Sequence, residues 1–194
     1  MTPKPRLQLG ACLLALAGTV ASCVPPESKN PLSDPAQAKP DARLVGLWAG
    51  DVDGAVATIQ FFPKTGAFLD LVITGNDGVK GASVLAFDAF PSTVNGKTYL
   101  NLRSKTFQGA YADKFELAPA YIFARYDVAK DASITFFPMD DDLVKESVAA
   151  GKLKGTVKDG TVTLTASSKE LAEYVRAADP EKLFKKLGTF RKLK

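Results

Sequence analysis

Between Ala42 and Phe137 apolar and polar side chains alternate with a period of two, interrupted at short intervals by turn residues. In "AFLDLVIT", Ala67, Leu69, Leu71 and Ile73 share one face, and Phe68, Asp70, Val72 and Thr74 share the other. "TYLNLRS" sets Leu100 and Leu102 against Tyr99, Asn101 and Arg103; "TVTLTA", further on, sets Val162 and Leu164 against Thr161, Thr163 and Thr165. Successive side chains of a strand point to opposite faces, so this pattern demands strands that each bury one face. Asp53-Gly54, Pro63-Lys64-Thr65-Gly66, Asn76-Asp77-Gly78, Asn95-Gly96, Lys130-Asp131 and Asp159-Gly160 supply the turns. Strands joined by tight turns pair with their sequence neighbours. The chain is therefore expected to be mainly β, an antiparallel meander of about eight to ten strands closing into a barrel or a strongly curved sheet.

Two or three short helices are expected in the C-terminal third. In "MDDDLVKESVAAGKL" Asp140 is the N-cap, and Asp141 and Asp142 complement the positive end of the helix dipole. Leu143, Val144 and Val148 form the apolar stripe, and Gly151 ends the helix. "SSKELAEYVRAAD" repeats the design, with Ser167 or Ser168 as cap and Leu171, Tyr174 and Val175 facing inward. Pro180 stops that helix and opens a third turn, "PEKLFKKL".

The first residues are of a different kind. Lys4 and Arg6 precede an uncharged run from Leu7 to Ala21. That run is about fifteen residues, where a membrane-spanning helix needs about twenty. A positive start, a short apolar middle and a small-residue end make a secretory leader. It ends in Val20-Ala21-Ser22-Cys23, which resembles the lipobox of bacterial lipoproteins. Cys12 lies inside the leader and lacks the small residues before it. The resemblance implies cleavage after Ser22, lipid on the Cys23 thiol and an acylated new amino terminus, three acyl chains in all. Stable attachment needs more than one such chain. Val24 stands where an Asp would retain a Gram-negative lipoprotein at the inner membrane, and this implies the outer membrane. From Val24 to Asp41 the chain carries Pro25, Pro26, Pro31, Pro35 and Pro40. It reads as an extended tether reaching up to roughly 50 Å. Residues 1–22 are thus a leader, 23–41 the lipidated cysteine and its tether, and 42–194 one β-rich domain.

The composition excludes much chemistry. The 194 residues include no histidine and two cysteines, one in the leader and one at the lipidation position. Ser-His and Cys-His catalysis and Cys/His metal sites are therefore outside its reach, as is a disulfide within the mature chain. A formal net charge of +4, two units of which leave with Lys4 and Arg6, is too balanced for a nucleic-acid partner. The fold must rest on an apolar core, which roughly 170 residues can supply.

Gly46-Leu47-Trp48, at the start of the first long strand, resembles the G-x-W of lipocalin and calycin barrels. The resemblance implies that Trp48 closes one end of a barrel and that Arg191, in the last strand "GTFRKLK", packs across it. A cation over an indole face contributes about 1 kcal/mol. The chain departs from that family in its helices, which fall between Met139 and Leu187 and interrupt the later strands. Tyr99-Leu100-Asn101 and "YIFARYDV" resemble strands of other bacterial lipoproteins, a likeness that carries no activity.

Several residues invite a chemical reading. Asp140, Asp141 and Asp142 offer oxygens to calcium, but no EF-hand loop follows and a capped helix accounts for them. Asp51, Asp53, Asp70 and Asp88 would be the carboxylates of an acid–base pair; Asp51-Val52-Asp53-Gly54 is itself a hairpin sequence. Lys182, Lys185, Lys186, Arg191, Lys192 and Lys194 make a basic C-terminal segment suited to an anionic leaflet, or to plain solvation. Of twelve Phe and five Tyr, ten Phe lie in or beside the expected strands, and Phe61-Phe62 and Phe136-Phe137 put aromatics on both faces. One face would fill the barrel and the other lie under the helices. Phe87 and Phe123 mark the place for an apolar ligand cavity.

The expected protein is thus a lipid-anchored lipoprotein of the bacterial envelope, non-enzymatic and without cofactor or metal. It is expected to bind a small apolar or lipid-like ligand, or to serve as an accessory to another envelope protein. The alternatives are a structural or protein-interaction module with a solid core and, behind it, a carboxylate-dependent enzyme.

Overall fold

A computed structural model describes residues 25–52, 54–76, 81–109 and 120–193. The leader, the lipobox and Cys23 lie outside these residues, as do Asp53, Asp77, Gly78 and Phe115. The described residues form eleven strands: β1 (Glu27–Ser28), β2 (Gly46–Val52), β3 (Ala55–Pro63), β4 (Leu69–Asn76), β5 (Ala82–Val94), β6 (Lys97–Gly109), β7 (Tyr121–Val128), β8 (Ser133–Pro138), β9 (Gly155–Lys158), β10 (Thr161–Leu164) and β11 (Gly188–Lys192). Between β8 and β11 lie three short helices, α1 (Asp141–Ala149), α2 (Ser168–Ala177) and α3 (Pro180–Leu183).

Strands β2 to β8 follow one another as an antiparallel meander. β11 then enters between β8 and β2, antiparallel to both, and closes an eight-stranded barrel. Two turns show how local chemistry sets the register. Asn95 and Gly96 both have positive φ, 49° and 72°, and join Val94 to its partner Lys97. Asp159 and Gly160, at 50° and 81°, do the same for Lys158 and Thr161. Two left-handed residues match the right-handed twist of a hairpin, and Asn, Asp and Gly adopt them most easily.

The alternation becomes two cores. Trp48, Ile59, Phe61, Leu71, Phe87, Leu100, Ile134, Phe136 and Phe190 face the barrel interior. Phe136 sits between Phe61 and Phe190, with centroid distances of 6.2 and 5.7 Å. On the outside, Tyr99 and Phe123 pack with Val144 of α1, Leu171 and Val175 of α2, Leu183 of α3, and Val162 and Leu164 of β10. Tyr99 and Leu100 are neighbours in sequence and belong to different cores. The aromatic doublets divide in the same way: Phe136 lies inside and Phe137 outside. Phe62 escapes cover and stays exposed.

The helix ends follow the sequence closely. Asp140 caps α1 by accepting from the Leu143 N–H at 2.8 Å. Ser167 caps α2 in a reciprocal box with Glu170, and Pro180 occupies the first turn of α3.

Residues 25–41 correct the expectation of a free tether. They form a strap against the outer wall of the barrel. Glu27 and Ser28 pair in parallel with Thr163 and Leu164, and Ser28 also meets Tyr121 of β7. Ser28 and Leu32 have relative exposures of 0% and 1%. The Leu32 N–H donates to Asn101 Oδ1 at 2.7 Å, while the Asn101 amide donates to Phe90 O and Ser92 Oγ. The prolines do keep the segment out of a long ladder. Two ladder residues and one buried leucine nevertheless suffice to dock it, because Asn101 offers a ready partner to backbone that the docking buries.

Asn101→Ala would leave the buried Leu32 N–H without an acceptor, at a cost of about 1–3 kcal/mol. Urea denaturation should show that loss. Limited proteolysis should cut within residues 25–41 before the barrel unfolds; simultaneous loss of strap and barrel would contradict this account.

Candidate functional site

The barrel has two unlike ends. At the base, where β2 starts, the Trp48 indole N–H donates to Leu44 O at 2.8 Å, and the ring is 1% exposed. The Tyr126 hydroxyl, rising through the interior from β7, donates to Asp41 Oδ2 at 2.9 Å. Arg43 grips the same carboxylate through Nε at 2.8 Å and a terminal nitrogen at 2.7 Å. The Arg43 guanidinium holds Asp41 below the ordinary carboxylate range. Burial, reinforced by that carboxylate, raises the Tyr126 hydroxyl well above its usual value. This end is plugged by aromatics and sealed by a charge-assisted cluster.

The cation over Trp48 is Lys192, with Nζ 5.3 Å from the ring centroid. It is not Arg191. Directly opposed residues share a face, and the partner of Trp48 across the β2–β11 ladder is Lys192, whereas Arg191 faces Ala49. Arg191 points outward with 80% of its side chain exposed, 3.9 Å from Asp131. Gly46 makes the arrangement fit, since a Cβ there would lie 2.6 Å from Lys192 Cε. Gly50 does the same for Phe190, whose ring would lie 2.7 Å from an added Cβ.

The opposite end is apolar. β2, β4, β6 and β8 run toward it, and residues near this mouth, Ile73, Leu85, Ile122, Pro138 and Leu187, line a cavity of about 90 Å³. Phe61, Leu71, Phe87, Leu100, Ala124 and Phe136 form its deeper wall. Phe87 projects from β5 into the barrel as expected. Phe123 also lines the cavity, although its packing partners are those of the outer core. Ile59 and Leu102 also line it, as does Pro25 from the strap. Among the described residues every lining side chain is hydrocarbon. The cavity is smaller than the roughly 150 Å³ void that admits benzene.

Of the candidate carboxylates, the described ones, Asp51, Asp70 and Asp88, have other partners. Asp70 and Asp88 are cross-strand neighbours on the outer face of β4 and β5. Lys105 lies 2.7 Å from Asp70 and Lys64 lies 2.7 Å from Asp88, with cross-contacts of 3.4 and 3.6 Å. Lys105 lowers the Asp70 pKa, the opposite of the shift a general acid needs. A depression of about 230 Å³ beside Asp88 is bordered by Lys64, Phe68, Phe90, Arg103 and Tyr121. Asp51 accepts from the Gly54 N–H at 2.9 Å and serves its turn.

Among Asp140, Asp141 and Asp142, the first binds the helix N-terminus and Lys185, and the second binds Lys145. Among the described residues no group of three or more His, Cys, Asp or Glu side chains could hold a metal. The basic C-terminal segment is dispersed: Lys185 faces Asp140, Arg191 faces Asp131, and Lys192 covers Trp48.

Two features had no prior assignment. Arg125, 1% exposed, holds Glu181 with both terminal nitrogens, at 2.5 and 3.2 Å, and stacks 4.0 Å over Phe137. It fastens α3 to the barrel, and an arginine inside the apolar run "YIFARYDV" was its visible sign. A groove of about 660 Å³ lies among the helices, with Lys152, Lys154, Lys182, Glu170 and Glu173 on its walls. Lys154, aided by Ser167, draws the Glu170 carboxyl down to about 2.

The class is thus defined by its fold: a closed eight-stranded antiparallel barrel, sealed at one end and apolar at the other, compatible with a lipocalin-like barrel. Comparison with protein-family models, curated proteins and solved structures found no match.

Two outcomes follow from the base. Lys192→Ala should destabilise the chain by about 0.5–1 kcal/mol, whereas Arg191→Ala should change it by less than about 0.5 kcal/mol. Urea titration followed by the fluorescence of Trp48, the single tryptophan, reads both. The Asp41 pKa is lower in the folded chain than in the unfolded one, so its stabilisation is complete above about pH 4 and fades as pH falls further. Asp41→Asn should flatten that acid limb; an unchanged limb would show that the cluster does not couple to folding.

Proposed function

We infer that the chain is a non-enzymatic lipoprotein of the bacterial envelope whose barrel takes up an apolar chain of a lipid-like ligand. The supporting observation is the cavity at the mouth: purely hydrocarbon walls, opposite a base sealed by charge. Water gains nothing in such a site, and an acyl segment loses no hydrogen bond by entering it. Its narrowness selects an unbranched chain over a ring system or a polar headgroup. The lipobox at Val20-Ala21-Ser22-Cys23 supplies the anchor, and Val24 points to the outer membrane. Among the described residues no helix is long and apolar enough to cross a membrane.

The groove among α1, α2 and α3 favours a second reading. Its lysines and glutamates suit a polar protein surface, as an accessory of an envelope assembly would require. In that reading the barrel is a scaffold, and crosslinking in intact envelopes traps one dominant partner at Lys152 or Lys182.

The mature chain carrying Cys23→Ser should leave the membrane fraction. It should also bind a fluorescent long-chain fatty acid saturably. Ala124→Phe, which fills the cavity, should abolish that binding while the circular dichroism spectrum stays unchanged. Failure of the Cys23→Ser chain to bind any acyl probe would remove the ligand reading and leave the scaffold.

A further inference from the structure

The cavity and the start of the strap occupy the same place. Pro25 lines the cavity, and two residues later Glu27 and Ser28 are fixed by their ladders to β10 and β7. Cys23 precedes Pro25 by two residues, a length of chain that spans about 7 Å at most. A group attached at Cys23 would therefore start within reach of the mouth.

We propose that the cavity is the seat of the protein's own anchor: one acyl chain on Cys23 runs past Pro25 into the barrel while the others hold the bilayer. This rests on the lipoprotein reading above and names the ligand within it. Stable attachment needs about two chains. A triacylated Cys23 can therefore seat one chain and remain anchored. An acyl chain leaving the bilayer for the cavity exchanges one hydrocarbon surrounding for another, so the transfer itself is close to neutral. The bias comes from the short connection. A ligand tied a few bonds from its site has an effective concentration of roughly millimolar, which free lipid must outcompete. The lining also matches this occupant, because no polar side chain among the described lining residues would take a phosphate or glycerol, and the amide-linked chain on the Cys23 amino group brings neither into the barrel. Seating the chain would hold the mouth against the membrane surface.

The test compares the lipidated wild-type chain with the mature Cys23→Ser chain in the same detergent, titrating each with a fluorescent long-chain fatty acid. The Cys23→Ser chain is expected to bind roughly tenfold more tightly, since its cavity has no tethered competitor. Ala124→Phe is expected to erase the difference. Equal affinity of the two chains overturns self-occupancy and leaves the ligand reading standing. Absence of binding by the Cys23→Ser chain overturns both.

A second measurement does not depend on filling the cavity. A benzophenone side chain placed at Leu187 of the lipidated protein, in phosphatidylethanolamine–phosphatidylglycerol vesicles, should crosslink on irradiation to the peptide bearing Cys23. Crosslinking to vesicle phospholipid instead overturns the proposal. An intact mass showing an unmodified Cys23 thiol overturns the anchor reading and this inference with it.

Discussion

A carboxamide with no access to water joins three parts of the chain. Asn101 reaches Phe90 O and Ser92 on the neighbouring strand and accepts from Leu32 in the strap. Burying an amide is favourable only when its bonding capacity is met, and three bonds meet most of it here. The consequence spreads outward. With the strap held, Glu27 and Ser28 present an edge on which β10 pairs, and β9 pairs on β10. That small sheet and the three helices then cover Tyr99 and Phe123, which an isolated barrel would leave in water. Arg125 acts as the second polar pin of this outer layer, tying α3 to β7 through Glu181.

The two ends of the barrel solve opposite problems. At the base, Trp48 and Tyr126 each need a partner for a polar tip, and Leu44 O and Asp41 provide them. The seal there is completed by Arg43, just before β2, and by Lys192, at the end of β11. At the mouth no cavity side chain among the described residues asks for a hydrogen bond. The asymmetry follows from where polar residues fall along the strands. The strap passes beside this apolar end.

Much of the barrel was legible in the sequence because period-two alternation is a direct consequence of strand geometry. The assignment of Leu100 and Leu102 to one face and Tyr99 and Asn101 to the other needs no tertiary information. Asn95-Gly96, Asp159-Gly160, Asp140 and a serine cap at Ser167 or Ser168 were legible for the same reason: each acts within a few residues of itself. What could not be read depends on pairing across long separations. The partner of Trp48 is Lys192 because the β2–β11 register places it opposite, and one residue of slip would have delivered Arg191. The strap misled because composition reports the absence of a long ladder, while docking uses scattered contacts from Ser28, Asn30, Leu32 and Ser33 to distant partners. Phe87 and Phe123 were placed at the cavity by their aromatic character; Pro25 and Leu187 carry no comparable sign, since they reach it through the path of the backbone alone.

β11 reaches the barrel only after α1, β9, β10, α2 and α3 have been made. Until then β2 and β8 each present an unsatisfied ladder edge, and the meander is an open, sticky sheet. During folding the chain must therefore pass through an interval in which this hydrophobic sheet has no seam. Gly188–Lys192 ends that interval, so a lesion in these five residues would be felt first as aggregation and turnover rather than as a weakened native protein.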